Sequence, residues 1–164
     1  MTDVYLYFHG PDVAGDSQDS ENIGAIEIMS FSFGSDMPTT DARSYAGSGT
    51  TGKVHMSDFS FVKSTDSASV PLMKHCWIGT HFEKVLVKCY RAHNTGRIEY
   101  LNILLESCVV SDFLIGASSG VPTESVMLNY GKISLKYTDS EKLSGKGSAN
   151  KQVIAYDRVQ NLAG

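Results

Sequence analysis

The sequence predicts a mainly β domain: a closed or nearly closed β-barrel of two packed antiparallel sheets with one flanking α-helix. Three observations carry that expectation. Short runs alternate apolar and polar residues along most of the chain, the period that places one face of a strand in a core. In three of those runs the alternation changes parity, the mark of a bulge, and strands bent repeatedly favour closure. One stretch alone has the three-and-four spacing of a helix.

The elements follow in chain order. Val4 to Phe8 is an aromatic and β-branched strand stopped by Gly10-Pro11. Residues 12–22 are acidic and polar. Ile26 and Ile28 then alternate with polar neighbours until the parity shifts to Met29, Phe31 and Phe33, and Asp58 produces a second shift, from Met56 to Phe59 and Phe61. Between Ser67 and Gly79, Ser69 is a capping residue, Pro71 suits a first turn, Leu72/Cys76 and Met73/Trp77 pair at i, i+4, and Gly79 terminates. Val85, Val87 and Cys89 share one strand face. Leu101, Ile103, Leu105 and Val109 share another, and Asn94-Thr95-Gly96 joins the two strands as a hairpin turn. The third parity shift, at Gly131, separates Val126, Leu128 and Tyr130 from Ile133, Leu135 and Tyr137.

A chain of 164 residues, 41% hydrophobic, has the size of a single domain with a sizeable core. We assign residues 1–164 to one domain, with residues 35–52 as an extended loop and residues 139–164 as a C-terminal tail with room for a short last strand. Fourteen basic against eighteen acidic residues leave a net charge of −4, no field for a phosphate backbone, so nucleic acid is not an expected partner. The N-terminus lacks the pattern of a signal peptide, and no run approaches the roughly 20 apolar residues that span a bilayer. The expected location is the cytosol, with no membrane insertion. Cys76, Cys89 and Cys108 are odd in number and lack C-x-x-C spacing, and are read as reduced and mostly buried.

No motif requires catalysis. Gly47-Ser48-Gly49-Thr50-Thr51-Gly52-Lys53 fits G-x-x-x-x-G-K, yet Val54 stands where a Mg²⁺-binding hydroxyl belongs, and no strand–loop–helix context surrounds it. His9, His55, His75, His81 and His93 are spaced too widely for a compact ligand set. No G-x-S-x-G elbow and no carboxylate pair at an active-site spacing is present. The expectation is therefore no catalytic, cofactor or metal site. Trp77 with Tyr5, Tyr7, Phe31, Phe33, Phe59 and Phe61 could form a sugar platform, so a stand-alone lectin-like binding module is the alternative.

Four segments raise a resemblance: Tyr5-Leu6-Tyr7-Phe8-His9-Gly10; the run Ile26-Glu27-Ile28-Met29-Ser30-Phe31-Ser32-Phe33-Gly34; the helix with its following strand; and Pro122-Thr123-Glu124-Ser125-Val126-Met127-Leu128-Asn129-Tyr130-Gly131-Lys132-Ile133. In content and order they resemble the hemolysin-coregulated protein (Hcp) family of type VI secretion. Tyr7, Phe8 and Phe33 depart from its commonest residues without altering the face pattern. The resemblance implies a tube subunit: a homo-hexameric ring with a central pore, stacked into tubes and expelled by a contractile sheath from a baseplate beneath a spike protein. It further implies small effector proteins carried in the pore, and export from the cytoplasm without a signal peptide. The extended loop, through Met37, Arg43, Ser44 and Tyr45, is expected to reach an adjoining subunit or ring.

Overall fold

The computed structural model describes residues 3–39, 52–93, 96–138 and 151–164. Along the chain run β1 (Asp3–His9), β2 (Ile26–Glu27), β3 (Ser30–Ser32), β4 (Ser35–Asp36), β5 (His55–Met56), β6 (Phe59–Ser64), α1 (Ser69–Ile78), β7 (His81–His93), β8 (Gly96–Gly116), β9 (Thr123–Asn129), β10 (Lys132–Thr138), β11 (Lys151–Asp157) and β12 (Leu162–Ala163). Among the described residues the fold is mainly β with one helix, as expected.

The described strands form two sheets, but they are unequal. Ten strands form one antiparallel sheet, in which the path β12-β11-β10-β8-β7-β1-β2 carries a branch β8-β9-β6-β3, while β4 and β5 form a separate two-stranded ribbon. Both arms of the branched sheet contribute to one core, which brings Leu6, Ile26, Val85, Val87, Ile103 and Leu105 together with Phe59, Phe61, Val126 and Leu128. Among the described residues the ladder traces no closed barrel. Its break lies between β2, which pairs with β1 through Tyr5↔Glu27 and Leu6↔Ile26, and β3, which pairs with β6 through Phe31↔Phe61. At the break the Ile28 N–H donates to the Val4 carbonyl at 3.2 Å and the Met29 N–H to the Val62 carbonyl at 2.7 Å. This handover from one neighbour to another is the parity shift seen at residues 28–29, and it leaves Met29 exposed.

At Gly131 the parity change has a different cause from the expected bulge. Val109 pairs with Asn129 and Glu106 with Lys132, so two residues stand on each side between those pairs and the register is unbroken. Instead both strands turn over together. Ser107 has φ 55°, and the Gly131 N–H donates to the carbonyls of Glu106 (2.9 Å) and Ser107 (3.2 Å). Glu83 lies opposite Ser107, between the pairs Phe82↔Cys108 and Lys84↔Glu106, and its N–H donates to the Gly10 carbonyl at 3.1 Å. Gly10, Glu83, Ser107 and Gly131 thus form one crease across four neighbouring strands. On either side of it the buried positions have opposite parity: Phe82 against Val85 and Val87 in β7, and Ile103 and Leu105 against Cys108 and Val110 in β8. This moves Val109 off the face it was expected to share with Ile103 and Leu105. The register does shift elsewhere, between Cys89 and Tyr90 and between Val110 and Asp112.

The other expectations divide in the same way. Helix α1 lies within the predicted window and ends at Gly79, whose φ of 64° is the left-handed conformation of a helix stop. Its cap differs from the reading of Ser69: Ala68 precedes the helix, and the Asp66 carboxylate accepts the Ala68 N–H at 2.9 Å. Ser69 is buried, with a different task. Strands β7 and β8 pair to His93↔Gly96, as a hairpin requires, although residues 94 and 95 lie outside the described residues. Of the expected loop at residues 35–52, Ser35 and Asp36 belong to the ribbon, paired with Met56 and His55. The tail carries more structure than one short strand, because β11 pairs with β10 over seven residues and β12 follows it.

Gly10 supplies a test of the crease. With φ 64°, a Cβ there would lie 2.9 Å from Glu83 Cβ and closer still to its Cγ and Cδ atoms. Gly10→Ala is expected to destabilise the fold by about 1–3 kcal/mol, whereas Gly116→Ala, which meets nothing within 4 Å, should change it little. Equal denaturant midpoints for the two variants would contradict this account.

Candidate assembly surface

The described residues contain no group of three or more His, Cys, Asp and Glu side chains placed to hold a metal. His9 faces Asp12 at 3.3 Å, His55 faces Asp36 at 3.2 Å, and His75 faces the Thr80 hydroxyl at 2.8 Å. Lys53, the last residue of the phosphate-loop pattern, leads into strand β5 rather than a helix, while residues 47–51 of that pattern lie outside the described residues. A sugar platform fares no better. Phe59 and Phe61 are fully buried, Phe31 and Phe33 stack on Phe59 at ring-centroid distances of 5.6 and 5.7 Å, and Tyr5 is buried. Trp77 alone of those aromatics stands out, 79% exposed.

What the surface does offer is apolar contact area. Helix α1 buries Leu72 and packs Cys76 against the core, while Val70, Trp77 and Ile78 face outward, each more than three-fifths exposed. Leu114, Ile115 and Val121 are exposed at the end of the β8–β9 hairpin. A third area is a groove of about 460 Å³ where the ribbon overhangs the sheet, with Phe33, Met37 and Met56 on one side and Leu135, Ile154 and Tyr156 on the other. Here the core opens outward, since Leu135 stands opposite both Ile103 and Ile154. Of the predicted contact residues, Met37 lines this groove and is 46% exposed. Arg43, Ser44 and Tyr45 lie outside the described residues.

The opposite face of the sheet holds a polar knot around Arg97. Its guanidinium lies 4.6 Å from the Tyr90 ring centroid and 5.6 Å from that of Tyr5, and it donates to Asp3 at 3.2 Å, to Glu21 at 3.4 Å and to Asp19. Asn22 accepts from the hydroxyls of Tyr7 and Tyr90. The acidic segment at residues 12–22 is thereby strapped across β1 and β7. The hydrogen bond from Arg97 holds the Asp19 carboxyl down to about 2.

A second polar cluster is buried, and the sequence reading missed it. Lys63 and Glu124 have no exposed side-chain area and meet at 2.5 Å. Lys63 Nζ also reaches Asp66 Oδ1 at 2.7 Å, the Ser69 hydroxyl at 3.0 Å and the Ser64 carbonyl at 3.1 Å. Ser69 donates to Glu124 Oε2 at 2.9 Å, leaving Glu124 Oε1 without a protein partner. The signal was present in the pattern: Lys63 continues the alternation Phe59, Phe61, and Glu124 begins the alternation Val126, Leu128, Tyr130. Both charges therefore occupy core-facing positions.

Two outcomes test these assignments. A depressed carboxyl stabilises the fold above the unfolded value of about 4 and loses that contribution as pH falls toward 2, so Asp19→Asn should flatten the stability profile between about pH 4 and 2 in acid titrations. An unchanged profile would remove Asp19 from the strap. Burial pushes the Cys89 thiol up to about 11 and that of Cys108 to about 12; both should resist a thiol reagent near pH 8 until denaturant is added. Prompt labelling of the folded protein would contradict their burial.

The family model described as type VI secretion system effector, Hcp, matches residues 5–137. Protein hcp1 of Pseudomonas aeruginosa is 32% identical over 161 residues, which cover 97% of this chain and 98% of that protein. Among solved structures, a type six secretion system protein superposes with a TM-score of 0.87 at 20% identity, covering all of both chains. Hcp1 from Salmonella typhimurium superposes with a TM-score of 0.75 at 22% identity, over 99% of this chain and 98% of its own. The family match across the creased sheet and its helix leads to one conclusion: the chain belongs to the Hcp family of type VI secretion system proteins.

Proposed function

We propose that the chain is a tube subunit of a type VI secretion system, acting by assembly rather than catalysis. Six copies close into a ring, rings stack into a tube, and the tube is driven out with the spike by a contractile sheath assembled on a baseplate. Small effector proteins travel in the pore, and the subunit leaves the cytoplasm through the apparatus without a signal peptide. In this reading the strands β1, β7, β8, β9, β6 and the run 26–32 act as a nearly closed barrel wall. Residues 35–52, through Met37, Arg43, Ser44 and Tyr45, reach a neighbouring subunit or ring.

The observation that carries the proposal is the outward face of α1. A tryptophan 79% exposed between Val70 and Ile78 costs solubility in an isolated monomer and makes sense as an interface anchor. The groove beside Met37 supports the same reading, since it exposes core-type side chains at the base of the loop. A repeated heterologous contact related by a fixed rotation closes into a ring.

Native mass spectrometry at micromolar concentration should give a six-membered species, and a monomer alone would defeat the proposal. Trp77→Ala should leave the melting transition nearly unchanged, because the side chain is exposed, and should weaken each interface by about 2 kcal/mol or more. Replacing residues 37–49 by a short Gly-Ser turn should preserve folding and abolish tube formation and secretion. Normal stacking and secretion of that variant would show the loop to be a passive excursion.

A further inference from the structure

We infer that the buried Lys63–Glu124 pair specifies the register of β6 against β9, and through it the placement of α1. The two residues are direct cross-strand partners in a six-pair ladder that also contains Phe59↔Leu128 and Phe61↔Val126. The apolar pattern of these strands cannot choose the register alone. A slip of two residues keeps every side chain on its own face. In one direction it sets Phe61 against Leu128 and Phe59 against Tyr130, again apolar on apolar. In the other it sets Phe59 against Val126 and brings Phe61 to Glu124.

The charges break this degeneracy. Either slip parts Glu124 from Lys63 and Ser69; the ammonium keeps Asp66, three residues along its own segment, but Glu124 is left as a wholly buried carboxylate without a cation, and an unpaired buried charge is among the most costly defects a core can hold. Ser64, Asp66 and Ser69 follow Lys63 in the same segment and move with it, so the register decides the Glu124 contacts: in the native pairing Glu124 Oε2 meets both Lys63 and the Ser69 hydroxyl. The other edge of β6 is held by β3 through only three pairs, from Ser30↔Val62 to Ser32↔Ser60, and the contacts at the ladder's ends, Thr65 N–H to the Pro122 carbonyl at 3.1 Å and Asn129 to Asp58 at 3.0 Å, are neutral or exposed, so the buried charges are the term that a slip penalises most. Ser69 and Asp66 extend the consequence to the helix. Only residues 65–68 separate β6 from α1, and Ser69, the first helical residue, hydrogen-bonds directly to both members of the pair. The register of β6 therefore sets where the face bearing Val70 and Trp77 stands.

Disulfide trapping tests the inference in the full chain, with Cys76→Ser removing the partly exposed thiol. Ser60 pairs with Met127 in the native register, whereas a two-residue slip places it opposite Ser125 or Asn129. Residues displaced by two positions sit about 7–8 Å apart, beyond the reach of a disulfide. With Lys63 and Glu124 intact, Ser60→Cys should crosslink to Met127→Cys and not to Ser125→Cys or Asn129→Cys under mild oxidation. In Lys63→Leu/Glu124→Leu, which buries an apolar pair in place of the charges, the slipped pairs should also form, each at a tenth or more of the native yield. Native-only crosslinking in that variant overturns the inference. If the double variant does not fold, Lys63→Met/Glu124→Gln is read instead, since the amide introduced at position 124 retains a hydrogen-bond acceptor for Ser69. Slipped crosslinks there support the inference, and native-only crosslinks overturn it.

Discussion

The crease through Gly10, Glu83, Ser107 and Gly131 is the constraint on which the rest of the molecule depends. A sheet that kept one parity along a strand as long as β8, Gly96–Gly116, would run on as an open ribbon with half its apolar side chains facing water. By turning over β7, β8 and the joined run of β9 and β10 at one line, the chain keeps both arms of the sheet on the same core. Phe82 and Cys108 then meet the same interior as Val85 and Leu105. The cost is a serine held at positive φ and glycines where neighbouring strands crowd, which is modest against the burial of more than twenty apolar side chains at roughly 1.5–3 kcal/mol each.

Two polar clusters secure the arms where apolar packing is indifferent. Around Arg97, carboxylates from residues 3, 19 and 21 converge on one guanidinium that also covers two tyrosine rings, so the acidic segment lies flat across β1 and β7. Between β6 and β9, Lys63 and Glu124 place a charge pair inside the core. The clusters differ in kind. The first is reached by water and screened accordingly, while the second is dry and acts by making the alternatives expensive.

The surface leaves several large apolar side chains uncovered. Helix α1 spends one side on the core and offers the other, with Trp77 at its end. The groove beneath the ribbon leaves core-type residues uncovered next to Met37. Among the described residues no group of three or more His, Cys, Asp and Glu side chains is placed to hold a metal.

By itself the sequence determined the helix, the main strands, most of the core faces and the family. Period-two alternation reports which side chains share a face, and the Pro122–Ile133 segment, spanning β9 and the start of β10, is specific to few folds. It even marked the buried charges, because Lys63 and Glu124 stand where the alternation demands core, although only their meeting across the ladder turns two anomalies into a pair. Tertiary structure alone decided the rest. A parity change at Gly131 reads alike for a bulge and for a crease, and the distinction lies in what the partner strand does at Ser107. Ser69 looks like a cap by local pattern and became a buried hydrogen-bonding residue because Lys63 and Glu124, six and fifty-five residues away, converge on it. Pairings between distant residues set such outcomes, and a one-dimensional pattern records only which way each side chain points, never what it meets.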